Sequence, residues 1–486
     1  MLRISALHRP FRAHRAAALL FVSFLSFPLL ASAQSAPAAG HWEGAIQVPG
    51  HDLLVKVDLS SAEGAWKGTI DIPEQSAKAF PLEKVAVDGD HVQFAIAGVP
   101  GNPAFDGKLA DGKITGTFTQ GTASIPFHLG REAVQAARRP QDPVPPFPYQ
   151  EEEVAYQNGD IHLAGTLTLP PGPGPFPAVV LITGSGAQNR NEELLGHRPF
   201  LVLADHLSRN GIAVLRVDDR GVGGSTGSVS GSTSSDFAGD VLAGVAFLKQ
   251  HAHIAADRIG LIGHSEGGLI APLAASRSKD VAFIVMLAGT GVSGYEILPA
   301  QVEAIDKASG QPADRARRDA DLTRSAMDLV RAEKDEAVLR TKLKTLFEEH
   351  SDAIDAGDLK TAGGLDAYVE QQAKTLSSPW FRYFVDYDPR PALRQVKVPV
   401  LALNGELDRQ VLPDQNLPAI EQALREGKNP DVTIRRMPGL NHLFQTTTTG
   451  SPTEYATIQE TLSPTALDVM THWILERFGK PAKPAA

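Results

Sequence analysis

A serine lies at the centre of a glycine-rich turn, GHSEGG at 263–268. The apolar run 258–262 predicts a buried strand before the turn, and a helix-prone run follows it. A strand that passes into a helix through Gly-x-Ser-x-Gly is typical of a nucleophile elbow, which holds the serine hydroxyl exposed at its tip. Gly263 and Gly267 would leave room where strand and helix backbones cross. Ser265 is therefore the candidate nucleophile for acyl transfer.

A serine hydroxyl needs a base to take its proton and an acid to orient that base. On a sheet with such an elbow, the order along the chain is serine, acid, histidine, with the later two after later strands. Asp408 follows the apolar run 399–403, and His442 follows the run 432–437. We therefore predict Asp408 as the acid and His442 as the base.

Two nearby residues compete for these roles. Glu406 is two residues from Asp408 and is the alternative acid, although it lies nearer the end of the strand. His472 also follows the last predicted strand, but it lies in a helical segment, where a histidine is ordinarily a surface or packing residue.

The oxyanion formed during acyl transfer needs backbone N–H donors that are already in place. The N–H of Glu266, directly after the nucleophile, is one predicted donor, because a helix start favours negative charge. We expect the second donor in the loop at 183–186, which follows a predicted strand. The N–H of Ser185 is favoured there, with Gly186 as the alternative. The Glu266 side chain itself is predicted to be an ordinary carboxylate at a helix start.

A parallel sheet would bring these residues to one edge. From residue 150 to 480, apolar strands alternate with amphipathic helices, which predicts an α/β fold with a mostly parallel sheet covered on both faces. The alternation stops at about 291–393, where a charged and strongly helical segment predicts a cap inserted above the site.

The preceding region, 34–132, has a different pattern. Alternating apolar residues and turn signals predict about eight short antiparallel strands in a small barrel or sandwich. No catalytic constellation lies in this all-β domain, so a packing or spacer role is favoured, with a lipid-like or glycan ligand inside it as the alternative. Five prolines lie in the stretch 133–149, which predicts a linker.

The first 33 residues resemble an export signal. Four arginines precede the apolar stretch 16–30, and Ala31-Ser32-Ala33 fits a small-residue cleavage site. We expect an exported protein, periplasmic or secreted, with no stable membrane span after cleavage. An uncleaved anchor is the alternative.

Composition and motifs exclude several classes of function. The 486 residues contain no cysteine, which excludes disulfides and a cysteine nucleophile. A net charge of −10 without a basic stripe argues against a nucleic-acid partner. The glycine-rich stretch 218–225 has neither a P-loop ending nor dinucleotide spacing, so it predicts a turn in which Arg220 pairs with a carboxylate. We expect no cofactor and no metal site.

Five motifs together resemble those of bacterial exported α/β-hydrolases of the esterase type, related to the serine aminopeptidase and dienelactone hydrolase-like group. They occupy 183–186, 219–225, 263–268, 404–408 and 441–444. The resemblance covers about 149–478 and implies Ser265, Asp408 and His442 as nucleophile, acid and base. The all-β domain resembles an accessory domain of some members. The chain departs from many relatives at 183–184, where Thr-Gly replaces His-Gly.

The resulting hypothesis is a serine hydrolase that cleaves a small-molecule carboxylic ester through an acyl-enzyme. The first alternative is an aminopeptidase or acyl-peptide hydrolase with the same triad, for which Glu348 and Glu349 are candidate partners of a substrate ammonium. A thioesterase and a non-catalytic binding protein on the same scaffold are the remaining alternatives.

Overall fold

The computed structural model describes residues 37–479, except 49–50, 63, 74–76, 100, 122, 134–138, 352–353, 355–358 and 360–361. The predicted export signal at 1–33 lies outside the described residues. Among the helices that are described, none is both long enough and apolar enough to cross a bilayer.

The first eight strands form a closed antiparallel barrel, which decides between the two architectures left open for the all-β region. Each strand pairs with the next, and the eighth pairs back with the first. Successive side chains of a strand point to opposite faces, so every second residue enters the barrel interior. The strands are β1 Gly40–Val48, β2 His51–Ala62, β3 Ala65–Ile72, β4 Ala77–Asp88, β5 His91–Ile96, β6 Ala104–Ala110, β7 Lys113–Gln120 and β8 Ala123–Gly130.

The next eight strands form one sheet in the order β16-β15-β14-β13-β11-β12-β10-β9. Six of them, β11 to β16, run parallel, and the antiparallel hairpin of β9 and β10 completes one side. This confirms the predicted mostly parallel sheet. The strands are β9 Gln150–Asn158, β10 Ile161–Leu169, β11 Phe176–Ile182, β12 Ala213–Val217, β13 Ile254–His264, β14 Phe283–Leu287, β15 Val400–Gly405 and β16 Val432–Met437.

Helices cover both faces of this sheet. Two separate apolar clusters lie on its two faces, because the parallel strands are buried on both sides. Among the helices that contribute to these clusters are α1 Pro199–Arg209, α2 Ser234–Lys249, α3 Glu266–Arg277, α10 Pro413–Glu426 and α11 Pro464–Phe478.

The predicted helical cap lies between β14 and β15. Its helices enclose an apolar cluster of their own, which includes Met327, Leu339 and Leu343. The helices of this insertion are α4 Gly294–Ala308, α5 Ala313–Ala332, α6 Glu336–Glu349, α7 Leu365–Leu376, α8 Pro379–Asp386 and α9 Arg390–Gln395.

Part of the predicted proline-rich linker is fixed in place. The guanidinium of Arg139 donates to the carbonyls of Leu195, Ala456 and Ile458 at 2.9–3.0 Å. Asp142 is buried and pairs with Arg198 at 2.6 Å. Residues 139–149 are therefore not a free tether, because a buried ion pair and hydrogen bonds to backbone carbonyls hold this part of the predicted linker against the α/β region.

Candidate active site

Ser265 forms a strained turn between the end of β13 and the start of α3. Its φ is 54° and its ψ is −114°. A positive φ in a residue with a Cβ costs about 1–3 kcal/mol, and surrounding structure must hold it. The N–H of Ser265 donates to the carbonyl of Leu287 at 2.8 Å, and its carbonyl accepts from Gly268 at 2.9 Å. This is the geometry expected of the predicted elbow.

The two predicted elbow glycines lie where backbones cross. A Cβ on Gly263 would lie 2.0 Å from the carbonyl oxygen of Gly267. A Cβ on Gly267 would lie 2.1 Å from the carbonyl oxygen of Ile182. Both distances are far shorter than a van der Waals contact, so any side chain would push α3 away from the sheet.

Asp408 and His442 follow the neighbouring strands β15 and β16. Oδ2 of Asp408 lies 2.9 Å from Nδ1 of His442, and both side chains are buried. Oδ1 of Asp408 accepts the N–H groups of Gln410 and Val411 at 2.8 and 2.9 Å. Because the carboxylate accepts the hydrogen on Nδ1, Nε2 is the nitrogen left to take a proton.

The competing residues lie apart from this pair. Glu406 is exposed and accepts the N–H of Gly439 at 3.1 Å. His472 lies on α11, with Nδ1 2.7 Å from the carbonyl of Asp468. Of the candidate acids and bases weighed from the sequence, the structure brings Asp408 and His442 together.

His264, directly before Ser265, connects three segments of the site. Its Nδ1 lies 2.9 Å from Oε1 of Glu192, and its Nε2 donates to the carbonyl of His442 at 3.0 Å. The same Glu192 oxygen accepts the N–H of Gly184 at 2.6 Å. The elbow, the histidine loop and the loop after β11 are therefore joined through one imidazole and one carboxylate.

The His264 and Glu192 contact is a buried ion pair. Both imidazole nitrogens of His264 face acceptors, so both carry hydrogens and the ring is cationic. Burial acts to lower the pKa of His264, but the charge and hydrogen bond of Glu192 raise it overall. Removing either partner would leave an uncompensated buried charge, which is strongly destabilising.

The loop after β11 lies against Ser265. A Cβ on Gly184 would be 3.4 Å from the Cβ of Ser265. Since the N–H of Gly184 already donates to Glu192, it is not available to an oxyanion. In the part of the chain that the structure describes, the N–H groups of Ser185 and Gly186 have no protein acceptor. These two remain the predicted donors from the loop.

Asp219 also holds the loop after β11 in place. Its carboxylate accepts the hydroxyl of Thr183 at 2.8 Å and the N–H of Gln188 at 2.9 Å. Burial raises the pKa of Asp219 to about 8. The neighbouring Arg220 pairs with Asp240 at 2.6 Å, which confirms the turn with a paired arginine predicted for this stretch.

The Glu266 side chain is not the ordinary helix-start carboxylate expected from the sequence. It is buried and accepts hydrogen bonds from the Ser234 hydroxyl at 2.6 Å and from Nε1 of Trp380 at 2.9 Å. Burial raises its pKa. Because Trp380 belongs to cap helix α8, the cap is anchored on the residue whose N–H is the predicted oxyanion donor.

The hydrogen bonds that Glu192, His264 and Trp380 make around Ser265 were therefore not predicted from the sequence. His264 and Glu266 occupy the two variable positions of the Gly-x-Ser-x-Gly motif, and polar residues on both sides of Ser265 were the available signal. Across the described ranges, no three histidine, aspartate or glutamate side chains converge in a way that could hold a metal ion.

Comparison with known proteins places this geometry in a family. The sequence model of the alpha/beta hydrolase family matches residues 179–457, more than half of the 486-residue chain. Esterase EstD of Thermotoga maritima is 30% identical over 193 residues, which span 40% of this chain and 42% of that relative. This chain thus matches less than half the length of that curated relative.

Solved structures with a similar chain trace include two esterases. One, from Pyrococcus furiosus, is 17% identical, covers 72% of this chain and 99% of its own, and has a TM-score of 0.42. The other, Est1E of Butyrivibrio proteoclasticus with bound ferulic acid, is 17% identical, covers 67% and 100%, and has a TM-score of 0.39. On the extent of the family match, this chain belongs to the alpha/beta hydrolase family.

Proposed function

We propose that this protein hydrolyses small-molecule carboxylic esters through an acyl-enzyme on Ser265. The observation that carries the proposal is the hydrogen-bonded pair of Asp408 and His442 at the edge of the sheet where the strained Ser265 turn lies. Membership of the alpha/beta hydrolase family and the similarity to an esterase support the same chemistry.

In the first half of the reaction, Oγ of Ser265 attacks the ester carbonyl carbon while Nε2 of His442 takes the hydroxyl proton. The tetrahedral intermediate collapses, and His442 returns this proton to the leaving alkoxide, which departs as the alcohol. In the second half, His442 takes a proton from water, the hydroxide attacks the acyl carbon, and Ser265 regains its proton as the acid leaves. Asp408 holds the imidazole and stabilises its charged form.

The negative charge that develops on the carbonyl oxygen requires donors on the other side of the substrate. The N–H of Glu266 at the start of α3 is one, and the N–H of Ser185 or Gly186 is the second. In acyl-transfer enzymes the loss of one such donor costs about 3–4 kcal/mol of transition-state stabilisation. The His264 and Glu192 pair would act as a positioning device, since it holds the elbow against the loop that bears the second donor.

The test is a Ser265→Ala substitution assayed with p-nitrophenyl acetate. We expect a loss in kcat of about 10⁵-fold or more, because the substitution removes the hydroxyl that is proposed to become acylated. A fluorophosphonate probe should label the wild-type protein and not this variant. Ser185→Ala is the matched control, because it removes a hydroxyl from the site but keeps the backbone N–H. Near wild-type activity in Ser265→Ala would refute the assignment.

We also propose that the protein is exported to the periplasm or beyond, on the basis of the pattern in residues 1–33. Sequencing the amino terminus of the protein recovered from the periplasm or the medium tests this. We expect the mature chain to begin near Gln34, whereas a full-length chain retained in the cytoplasm would contradict export.

A further inference from the structure

The interior of the β-barrel consists of two unequal halves. One half lies next to the first residue of β1, Gly40, and the last residue of β8, Gly130. It is filled by large side chains such as Trp42 and Phe127, which are 0% and 2% exposed. The other half contains a cavity of about 630 Å³. Ligand sites for small molecules usually have volumes of roughly 300–1,000 Å³, so the open half has the size of a binding site.

An aromatic cluster closes the inner end of this cavity. The ring of Phe105 lies 4.6 Å from that of Phe94, 4.9 Å from that of Phe118 and 5.0 Å from that of Phe127, measured between centroids. Phe118 also lines the cavity, so the cluster forms its floor. An eight-stranded barrel is just wide enough to be filled by side chains or to hold one small ligand. In this barrel, side chains fill only one half of the interior.

The cavity wall is almost entirely apolar. Alanine, valine, leucine, isoleucine, proline and phenylalanine make up the described lining, with Gln120 as its single polar side chain. A charged or strongly hydrated group would lose its water here without gaining partners, which is costly. Hydrocarbon, in contrast, would gain free energy by leaving water.

Two described residues of the cavity lining, Phe80 and Ala123, are apolar and exposed to solvent. Phe80 lines the cavity and remains 40% exposed, and it is one of few large apolar side chains in the described part of the chain with such exposure. The neighbouring lining residue Ala123 is exposed as well. The first and last residues of the barrel strands, Gly40 and Gly130, lie at the filled half, opposite the cavity.

We propose that the barrel binds the hydrocarbon chain of a single-chain amphiphile such as a fatty acid, with the tail on the aromatic floor and the polar head near the exposed residues Phe80 and Ala123. An apolar cavity with an aromatic floor, and with Phe80 and Ala123 of its lining exposed to solvent, fits a ligand that is apolar at one end and hydrated at the other. The inference depends on the barrel alone and holds whether or not Ser265 is a nucleophile.

Calorimetric titration of the full-length protein with octanoate, decanoate and dodecanoate tests the proposal. We expect saturable binding of one molecule per barrel, with affinity rising about fourfold for each methylene added until the cavity is full. Absence of saturable binding of dodecanoate, or an affinity independent of chain length, would overturn the proposal.

A matched pair of substitutions on β8 locates the site. Ile125 lines the cavity, whereas the adjacent Ser124 is exposed and points to the opposite face of the strand. Ile125→Glu should weaken dodecanoate binding at least tenfold, and Ser124→Glu should leave it within twofold of wild type. Equal binding by both variants would place the fatty acid elsewhere, including the catalytic site, and would refute the barrel as its site.

A measurement on the unsubstituted protein covers the case in which Ile125→Glu fails to fold, which near-ultraviolet circular dichroism would reveal. Photolysis with a dodecanoate analogue that carries a terminal diazirine, followed by peptide mapping, should label the strands that surround the aromatic floor. Labelling confined to peptides of the α/β region would overturn the proposal.

Discussion

The interior of the barrel and the candidate active site, at the ends of the parallel strands, bury opposite kinds of group. Inside the barrel, aromatic and aliphatic side chains contact one another, and part of the space is unfilled. Around the turn at Ser265, titratable side chains are buried instead, and each has a hydrogen-bond partner. They are Glu192, His264, Glu266, Asp408 and His442.

The difference lies in how tightly each kind of burial fixes geometry. Apolar burial is non-directional and proportional to area, so the barrel is specified mainly by the volume of its side chains. A buried polar group must meet its partner at hydrogen-bond distance or lose several kcal/mol. The sheet edge is thus fixed to within tenths of an ångström, and the barrel can leave room for a ligand.

Among substitutions around Ser265 that leave its hydroxyl in place, the largest effect should come from Asp408→Asn. An amide cannot stabilise the imidazolium form of His442 and favours the wrong tautomer, so kcat for p-nitrophenyl acetate should fall about 10⁴-fold. Glu406→Gln is the matched control, because Glu406 is the nearby exposed carboxylate, and its activity should stay within twofold. The reverse result would make Glu406 the acid.

Glu192→Gln should have the next largest effect. The neutral amide would leave the charge of His264 unbalanced and would shift the loop that begins at Gly184. Displacement of catalytic groups by about 1 Å costs about 100-fold, so we expect kcat to fall by that factor with KM changed less than threefold. Glu193→Gln controls for the loss of one charge in this loop. Full activity in Glu192→Gln would show that the ion pair does not position the site.

Asp219, in the α/β region, should make the free energy of unfolding depend on pH. The pKa of Asp219 is about 8 in the folded protein, above its ordinary value of 3.8. The folded state therefore binds this proton more tightly, and the stability that Asp219 contributes is complete below about pH 4 and is lost as pH rises through 8. Asp219→Asn should reduce the fall in unfolding free energy between pH 5 and 8, measured by urea titration. An unchanged difference between these pH values would contradict the raised pKa.

The smallest effect on catalysis should come from a large change in the barrel. Phe105→Ala removes the ring at the centre of the aromatic cluster and should destabilise the barrel by about 3–5 kcal/mol. Since no catalytic candidate lies in the barrel, kcat for p-nitrophenyl acetate at 25 °C should stay within twofold of wild type. A parallel loss of activity would show that the two interiors are coupled.

The parts of the site that the sequence could predict are those with a local pattern. The glycines around Ser265, the strand before it and the helix after it lie within one short stretch, and Asp408 and His442 each follow an apolar run. The two-residue periodicity of the first region likewise indicated antiparallel strands. Closure into a barrel was not decided, because it depends on the pairing of β1 with β8 across the whole region.

The parts that the sequence could not predict depend on contacts between distant segments. Glu192 meets His264 across 72 residues, and Trp380 meets Glu266 across 114. Neither Glu192 nor Trp380 lies in a motif, and a loop carboxylate or a cap tryptophan has many ordinary explanations. Only the fold shows that they contact the two residues that flank Ser265.

The contacts of Arg139 bear on the order in which the protein acquires its structure. This residue follows the barrel in sequence, yet two of its three carbonyl partners, Ile458 and Ala456, lie 319 and 317 residues later. Strands of the barrel pair mostly with their sequence neighbours, so the barrel can fold once its own residues are available. At a synthesis rate of roughly 5–20 residues per second, these two partners are made tens of seconds later. The barrel is therefore expected to be folded while the α/β region is still an incomplete chain.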